Sequence, residues 1–445
     1  MDNRQRNFSV LMLPWLAHGH VTPFLELAKK LAKRNFCIYI CSTPAILSSI
    51  KLSATFSLSI QLVELHLLSL PELPPHYHTT KGLPLRLMPT LKKAFDMSSP
   101  SFFRILKNLK PDLVIYDFLQ PWAPAIALSQ NIPAVHFLVT SATMTAFIRH
   151  TTEKPDEEFP SPAIFIHDYM KLKLSHLRQS RSNGLKDQDR VAQCFQRSCD
   201  IILIKTFREL EAQHIDYLSD LLKKKMVPVG PLVQDPVEED GEGIEIIKWL
   251  DQKNKSSTVF VSFGSECFLS KEEMEDIALG LELSQLNFIW VVRFPSGQKI
   301  NLEDELPKNF FDRTRERAMV IEGWAPQTKI LEHPSIGGFV SHCGWSSVME
   351  SMKFGIPIIA TPMHLDQPLN ARLIEDVGVG IEVRRNKNGR IERKELAEVI
   401  KEVVMEDNGE KVRKKAREMS EKIREKGDEE MDEVVNELTR ICMEY

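Results

Sequence analysis

Residues 324–367 read WAPQTKILEHPSIGGFVSHCGWSSVMESMKFGIPIIATPMHLDQ, and this stretch decides the fold of the chain. Two apolar runs of strand length, 338–341 and 356–360, flank a run of helical spacing at 348–354. A strand, a helix and a second strand at such short range form a βαβ unit, whose strands are parallel. The segment 341–347 lies where the first strand ends and the helix opens. Helix N-termini favour anions, so we predict a phosphate-binding turn there.

Apolar runs of strand length recur along both halves of the chain. They lie at 8–13, 36–41, 113–116, 134–139, 259–263, 288–293 and 319–322. Apolar residues at helical spacing follow the first run over 22–33, and a Ser270–Glu273 capping box opens a helix after 259–263. We therefore predict an α/β fold made of two doubly wound, Rossmann-like domains.

The segment 233–243 separates the two halves. It is acidic, contains Pro and Gly and lacks apolar periodicity, which is typical of a linker. We predict a first domain over 1–232 and a second over 244–427. Residues 156–183 are polar and irregular, and we expect them to form a mobile loop inside the first domain.

Composition excludes several classes of protein. The chain has 445 residues, 27% of them charged, and a formal net charge of −4, which fits a soluble protein of two or three domains. This charge gives no electrostatic reason to expect a nucleic acid or an anionic membrane as partner. No apolar run is long enough to cross a bilayer and the start lacks a signal-peptide core, so a cytoplasmic location is expected. A monomer is the simple default. The seven cysteines form no CxxC pair, so no zinc site or redox motif is predicted.

The stretch 324–367 resembles the signature box of plant secondary-product glycosyltransferases, the family 1 UDP-glycosyltransferases. The resemblance covers essentially the whole chain. It implies a GT-B fold, in which two Rossmann-like domains face each other across a cleft, the first binding the acceptor and the second the UDP-sugar. It also implies that the last helix, within 428–445, packs back on the first domain.

The donor is expected to be UDP-glucose, bound without a metal ion or other cofactor. A site for it needs an aromatic plate for uracil, an acceptor for the ribose hydroxyls and a cradle for two phosphates. The resemblance assigns these tasks to Ser265, Trp324, Ala325, Gln327, His342, Gly344, Trp345, Ser346, Ser347, Glu350, Asp366 and Gln367. Within that set, Trp324 stacks on uracil, Gln327 and Glu350 meet the ribose, and the pair 366–367 meets the sugar.

Three of these assignments have alternatives in the residues themselves. Trp324 follows a predicted strand and is equally typical of a core tryptophan. Ser347 to Glu350 spells S-x-x-E, so the two residues can form a capping box instead of binding donor. Ser346 stands where the family usually has Asn, and its shorter side chain offers one donor rather than two.

The resemblance identifies His20 as the general base and Asp117 as the carboxylate that orients it. An imidazole suits proton removal near neutral pH, and a carboxylate fixes its tautomer. Both residues follow predicted strands, and strand ends on one edge of a sheet can meet. His18 is a second histidine in the same loop. The one DxD triplet, 187–189, lies in a polar stretch and is interpreted as solvated surface rather than as a metal site.

The acceptor is expected to be a small-molecule glycoside. The segments 13–20, 71–84, 116–124 and 261–266 resemble the branch-forming group, which adds sugar to a sugar already on a flavonoid or terpenoid. We predict an inverting transfer that forms a β-1,6 or β-1,2 bond, preferably 1,6. Direct glucosylation of an aglycone is the alternative, followed by a nucleotide-sugar-binding protein without transfer activity. Residues 76–80 offer polar groups for sugar hydroxyls, or form an ordinary surface loop. Apolar walls of the acceptor site, or simply core, are predicted at Phe118, Trp122, Phe137, Met144 and Phe147.

Overall fold

The computed structural model describes residues 7–171, 180–236, 243–265, 267–295 and 300–445. These residues form two compact units. Unit 1 contains the described residues of Met1–Ala146, Ser175–Leu232 and Asp428–Tyr445, and unit 2 contains those of Phe147–Leu174 and Val233–Gly427.

Unit 1 is built on a seven-stranded sheet with the order β3-β2-β1-β4-β5-β8-β9. Its strands are all parallel to their neighbours. A separate antiparallel pair, β6 and β7, stands beside it. The strands are β1 Ser9–Leu13, β2 Cys37–Ser42, β3 Ile60–Glu64, β4 Leu113–Tyr116, β5 Ala134–Leu138, β6 Arg181–Ser182, β7 Leu185–Lys186, β8 Ile201–Ile204 and β9 Lys225–Pro228.

Unit 2 is built on a six-stranded sheet with the order β12-β11-β10-β13-β14-β15, again parallel throughout. The strands are β10 Thr258–Ser262, β11 Asn287–Val292, β12 Ala318–Glu322, β13 Ile336–Ser341, β14 Ile358–Ala360 and β15 Gly380–Glu382. The predicted strand runs of both halves are therefore confirmed, and so is the doubly wound α/β class.

Helices follow most strands. They are α1 His18–Ala32, α2 Pro44–Leu47, α3 Met88–Met97, α4 Ser99–Leu109, α5 Trp122–Ser129, α6 Ala142–Glu153, α7 Asp187–Arg197, α8 Arg208–Leu222, α9 Ile244–Leu250, α10 Lys271–Ser284, α11 Leu302–Glu305, α12 Phe310–Thr314, α13 Gln327–Glu332, α14 Trp345–Phe354, α15 Gln367–Val377, α16 Arg393–Val404, α17 Glu410–Lys426 and α18 Glu429–Glu444. Short 3-10 turns lie at Pro75–Tyr77, Leu85–Leu87 and Asp407–Gly409. The capping box predicted before α10 is confirmed, since the Glu273 N–H donates to Ser270 Oγ and the Ser270 N–H donates to Glu273 Oε2. None of the described helices is long and apolar enough to span a membrane.

Each face of the unit 1 sheet carries its own core. Alternate residues of β1 point to opposite faces, so Val10 belongs to one cluster and Leu11 to the other. Helices α1 and α18 cover the first face, and α3, α4 and α5 cover the second. The last helix, α18, packs on the core of unit 1 through buried residues at helical spacing, among them Met431, Val434, Leu438 and Ile441.

Residues 147–171 differ from the sequence prediction, which placed them in the first domain and assigned 156–183 to a mobile loop there. The described part of this segment packs within unit 2. The Arg372 guanidinium lies 4.5 Å from the centroid of the Phe165 ring, and its Nε donates to the Ala163 carbonyl at 3.1 Å. A cation on an aromatic face is worth about 0.5–2 kcal/mol. These contacts join residues more than two hundred positions apart, which local sequence pattern does not reveal.

Both sheets reverse their strand order at one point. The reversal lies between β1 and β4 in unit 1, and between β10 and β13 in unit 2. In doubly wound sheets ligands bind outside the carboxyl ends of the strands at such switch points. The loops that follow these four strands are therefore where each unit is built to bind.

Candidate active site

At the switch point of unit 1, His20 and Asp117 are joined by a hydrogen bond. His20 lies in the first turn of α1, after β1, and Asp117 directly follows β4. His20 Nδ1 is 2.8 Å from Asp117 Oδ2. Because Nδ1 is engaged by the carboxylate, Nε2 is the ring nitrogen left to accept a proton. The predicted pair is thus brought together, although α1 begins at His18, so His20 is helical rather than in a loop.

The Asp117 carboxylate is held in one orientation. It is fully buried, and it accepts the backbone N–H of Trp15 at 2.9 Å and that of Phe118 at 2.8 Å. The Phe118 ring stacks on the His20 imidazole at 5.0 Å between centroids. Since 19% of the His20 side chain stays exposed, the imidazole is fixed yet reachable from solvent.

The loop between β1 and α1 is supported by Gln120, which the sequence prediction missed, and by two threonines that were predicted for another task. Gln120 Nε2 donates to the Leu13 carbonyl at 2.7 Å, and Gln120 is fully buried. The Leu16 carbonyl accepts the Thr80 N–H at 2.8 Å and the Thr79 hydroxyl at 3.3 Å. These bonds tie the 78–80 segment to the backbone just before His20. The Thr79 hydroxyl, predicted as a donor for sugar, is used inside the protein.

Of the side chains predicted as apolar walls of the acceptor site, some pack against other side chains of the protein and one contacts His20. Phe137 is fully buried and belongs to the core on one face of the sheet, so it lines no surface. Trp122 packs edge-on against Phe95 and Phe102, with ring centroids 5.4 Å apart in each pair. Phe147 packs against Phe159 at 5.2 Å. Phe118, stacked on His20, is the member of this group that contacts the hydrogen-bonded pair of His20 and Asp117.

His136 lies on β5, which pairs with β4, and is fully buried. Its ring stacks on Tyr116 at 5.5 Å, and neither ring nitrogen has a hydrogen-bond partner among the described residues. Burial lowers the pKa of His136 from 6.5 to about 4, so the imidazole is neutral at neutral pH. The unfolded chain therefore binds this proton more readily than the folded protein does. The corresponding stability is present above pH 6.5 and is lost as the pH falls toward 4.

We expect His136→Phe to protect the protein from acid. At pH 5 the wild type should lose about 2 kcal/mol of unfolding free energy through this group, because 1.4 kcal/mol corresponds to one pKa unit. Phenylalanine keeps the ring contacts without a proton to bind. Urea unfolding at pH 5 and pH 8 measures this, and the gain from the substitution should be larger at pH 5. An equal change at both values would contradict the assignment.

In unit 2, the His342 imidazole lies between two glycines. Gly264 follows β10 and Gly344 follows β13, the strands at the switch point. A Cβ placed on either glycine would come within 2.6 Å of His342 Nε2, closer than two such atoms approach. Gly264 also has a φ of +80°, which side-chain-bearing residues rarely adopt. Both positions are therefore restricted to glycine by the ring.

His342 is a neutral donor or acceptor rather than a cation. Burial lowers its pKa to about 3. Its Nδ1 is buried without a partner in the described part of the chain, whereas Nε2 faces the two glycines. The next residue, Cys343, has a φ of +63°. A residue other than glycine is kept in this left-handed conformation by its surroundings. Backbone strain of this kind concentrates at binding sites.

The helix that follows, α14, begins at Trp345 rather than at 348. Its N-cap residue is Gly344, so the helix start has no side-chain cap. The capping box proposed for Ser347 and Glu350 is therefore wrong, since both lie inside the helix. Ser346 and Ser347 stand in the first turn, where backbone N–H groups and the helix dipole favour an anion.

The residues assigned to uridine lie around α13 and α14. Trp324 is 58% exposed, which excludes the core alternative. Ala325 is 6% exposed and packs into the unit 2 core. Gln327 Nε2 donates to Glu350 Oε2 at 2.5 Å and to Ser347 Oγ at 3.2 Å. Three predicted ligands thus form one hydrogen-bonded cluster beside an open tryptophan.

The loop assigned to the sugar, 363–367, is folded by its own side chains. Gln367 is 3% exposed, and its Oε1 accepts the N–H of Met363 at 2.9 Å and of His364 at 3.0 Å. Its Nε2 also lies 3.4 Å from His364 Nδ1, so one N–H of the amide nitrogen remains to meet a hydroxyl. Asn370, which the sequence prediction missed, donates to Asp366 Oδ2 at 2.7 Å and to the Cys343 carbonyl at 2.9 Å. One amide thus connects the sugar loop to the phosphate turn.

Two further residues complete the description. Ser265 is exposed directly after the strand β10, next to Gly264. Asp187, the first residue of the DxD triplet, begins α7 and is ion-paired with Lys92, so the triplet is neither a loop nor freely solvated. Among the described residues, no group of three or more His, Cys, Asp and Glu side chains is placed to hold a metal ion.

Comparisons with known proteins agree with this geometry. The family model "UDP-glucoronosyl and UDP-glucosyl transferase" matches residues 97–433. The chain is 53% identical over 407 residues to a beta-D-glucosyl crocetin beta-1,6-glucosyltransferase of Gardenia jasminoides, covering 90% of this chain and 92% of the relative. It is 55% identical to a mogroside IIIx synthase of Siraitia grosvenorii, covering 93% and 89%.

A solved structure shares the fold. UGT73P12 of Glycyrrhiza uralensis, complexed with glycyrrhetinic acid 3-O-monoglucuronide, matches with a TM-score of 0.85 and 24% identity, covering 99% of this chain and 97% of that chain. The predicted GT-B fold class is thereby confirmed. With a family model that spans most of the chain and relatives that are more than half identical, this chain belongs to the UDP-glucosyl transferase family and is a UDP-glycosyltransferase.

Proposed function

We propose that the protein transfers glucose from UDP-glucose to a hydroxyl of a sugar already attached to a terpenoid or flavonoid, forming a β-linked, preferably 1,6 bond. The observation that carries the transfer chemistry is the hydrogen bond between His20 and the buried Asp117 at a sheet switch point. The acceptor class rests on the relatives, since the Gardenia enzyme is named for 1,6-glucosylation of a glucosyl crocetin. The protein is proposed to act as a cytosolic monomer.

His20 acts as the general base in this proposal. Asp117 holds the proton of the ring on Nδ1, so Nε2 presents a lone pair to the acceptor hydroxyl. As the acceptor oxygen attacks the anomeric carbon, its proton passes to Nε2 and the bond from that carbon to the UDP oxygen breaks. The attack comes from the face opposite UDP, so an α-linked donor gives a β-glycoside. Asp117 stabilises the imidazolium that forms.

The donor is assigned to unit 2. Uracil stacks on the exposed Trp324, with the Ala325 backbone at its edge, and the ribose hydroxyls meet Gln327 and Glu350. The diphosphate takes the turn formed by Ser265, His342, Gly344 and the first turn of α14 at Trp345, Ser346 and Ser347. Asp366 and the amide of Gln367 meet the glucose hydroxyls. N–H groups and the helix dipole stabilise the leaving UDP, so no metal ion takes part in the proposed step.

A paired assay tests the proposal. UDP-glucose is supplied with an aglycone and, separately, with its monoglucoside, in the presence of EDTA, and products are read by mass for each added hexose. We expect hexose addition to the monoglucoside at least about tenfold faster than to the aglycone, with no loss in EDTA, because the phosphate turn replaces the metal. Products from aglycones alone would overturn the acceptor class. A higher rate with UDP-galactose or UDP-xylose would overturn the donor.

A further inference from the structure

Unit 1 contains a pocket of about 350 Å³ that the transfer reaction does not explain. It is formed by the loops after β2 and β3 and by the turn at Pro75–Tyr77. Its walls include Pro44, Leu67, Pro75, His66, His76 and His78. The volume falls in the range of about 300–1,000 Å³ that is typical of small-molecule sites.

His78 is the one deeply buried histidine of this pocket. It is 6% exposed, whereas His66 and His76 lie on the open rim. The backbone of His78 is fixed, because its carbonyl accepts the Thr43 hydroxyl at 2.7 Å. Its Nε2 is buried without any hydrogen-bond partner in the described part of the chain. A buried polar atom left unpaired costs about 1–3 kcal/mol, and a ligand hydroxyl that reached this nitrogen would recover part of that cost.

The state of the ring follows from its surroundings. His78 is engaged by the Leu73 backbone carbonyl, and since Nε2 has no partner, this contact uses Nδ1. Nδ1 therefore carries the proton, and Nε2 is an acceptor. Burial lowers the pKa of His78, with smaller contributions from His66 and His76, so the ring is neutral at neutral pH. A neutral acceptor suits a hydroxyl group and gives no attraction to an anion.

The pocket lies on the same edge of the sheet as the catalytic pair. Strand β2 is the neighbour of β1 and β3 is the next one, so the pocket loops are displaced from the β1 loop by about 5–10 Å along the edge. The Thr80 N–H, two residues after His78, donates to the carbonyl of Leu16 at 2.8 Å. A ligand seated at His20 can therefore extend toward His78 within unit 1.

We infer that this pocket binds a second, non-reacting sugar of the acceptor glycoside, with His78 Nε2 accepting one of its hydroxyl groups. Apolar proline and leucine walls suit the C–H face of a pyranose ring, while imidazoles suit its hydroxyls. A metal ion is not the ligand we infer, because the described histidines form no group placed to hold one. The inference rests on the proposed sugar-on-sugar function and extends it to longer glycosides.

Two acceptors built on one aglycone test the inference with the full-length enzyme. One is the monoglucoside, and the other carries an additional glucose remote from the first. We expect His78→Ala to raise KM for the diglucoside relative to the monoglucoside by about tenfold, since one hydrogen bond is lost. The ratio of the two kcat values should stay within about twofold. His78→Gln, whose amide oxygen can stand near the place of Nε2, should restore much of the ratio.

Binding without turnover separates this inference from the proposed function. Saturation-transfer NMR with methyl β-glucoside should give a signal with the wild type that His78→Ala reduces and the unrelated substitution His333→Gln in unit 2 does not. Absence of that difference, or an equal KM rise for both acceptors, would overturn the pocket assignment. A wild type that binds the glucoside but glucosylates only aglycones would overturn the function and leave the pocket standing.

Discussion

Replacing His20 with alanine is expected to reduce kcat by about 10³–10⁴-fold, with little change in affinity for UDP. The imidazole is the proposed proton acceptor, and its partner Asp117 is buried and fully engaged by backbone N–H groups. Without the ring, the acceptor hydroxyl must lose its proton to water while it attacks. The donor residues lie in unit 2, so removing a side chain in unit 1 leaves them in place. Steady-state kinetics and calorimetric titration with UDP measure the two effects.

Two further variants give this experiment its controls. His18→Ala removes the neighbouring histidine of the same helical turn and should leave most of the activity, because His18 is not the residue bonded to Asp117. Asp117→Asn keeps the shape of the carboxylate but lets the ring adopt the other tautomer, and should cost a similar large factor to that of His20→Ala. Near-normal turnover by His20→Ala, or a larger loss in His18→Ala, would remove His20 from the role of base.

The fold could be predicted because its strands are continuous apolar runs. Two of these strands, at Val259–Phe263 and 338–341, are buried on both faces. Their sequences are therefore mostly hydrophobic, and each run ends at Gly or Ser. Helix starts were less accurate. The helix after β1 starts at His18 and α14 starts at Trp345, both earlier than predicted. Their N-cap residues, Ala17 and Gly344, make no side-chain cap hydrogen bond. No sequence signal of the usual kind marks such a start.

The proposed pair of His20 and Asp117 was accessible from the sequence, and much of its support was not. The family resemblance assigned both residues, and because each follows a strand, they could meet at one edge of the sheet. Gln120, which holds the loop through the Leu13 carbonyl, is a buried amide whose partner is 107 positions away. Asn370 and its contact with the Cys343 carbonyl are of the same kind. Polar contacts of this range depend on tertiary packing and leave no local periodicity.

The pairing of Gly264 and Gly344 around His342 gives the second large prediction. We expect Gly344→Ala to weaken UDP binding by about 10- to 100-fold, because the added methyl group displaces the ring or the turn that is proposed to hold the diphosphate. The new Cβ would lie 2.6 Å from His342 Nε2, and the Nδ1 edge of the ring is buried, so the ring has little room to move. Gly344 has a φ of −58°, so alanine meets no backbone strain there. Because the clash exists without UDP, overpacking should also lower the unfolding free energy by about 1–3 kcal/mol, and calorimetry with UDP measures the loss of affinity separately.

Three comparisons separate steric conflict from other causes. Gly264→Ala adds backbone strain to the same clash and should be the more destabilising substitution. Gly378→Ala is the control for backbone strain alone, because Gly378 has a φ of +79° and no close contact. A double-mutant cycle with His342→Ala tests the ring directly, since the cost of Gly344→Ala should shrink once the imidazole is gone. If Gly344→Ala weakens UDP equally in both backgrounds, the ring is not what excludes the methyl group. Glycine would then be required at 344 because the diphosphate approaches the backbone closely there, and not because of the His342 ring.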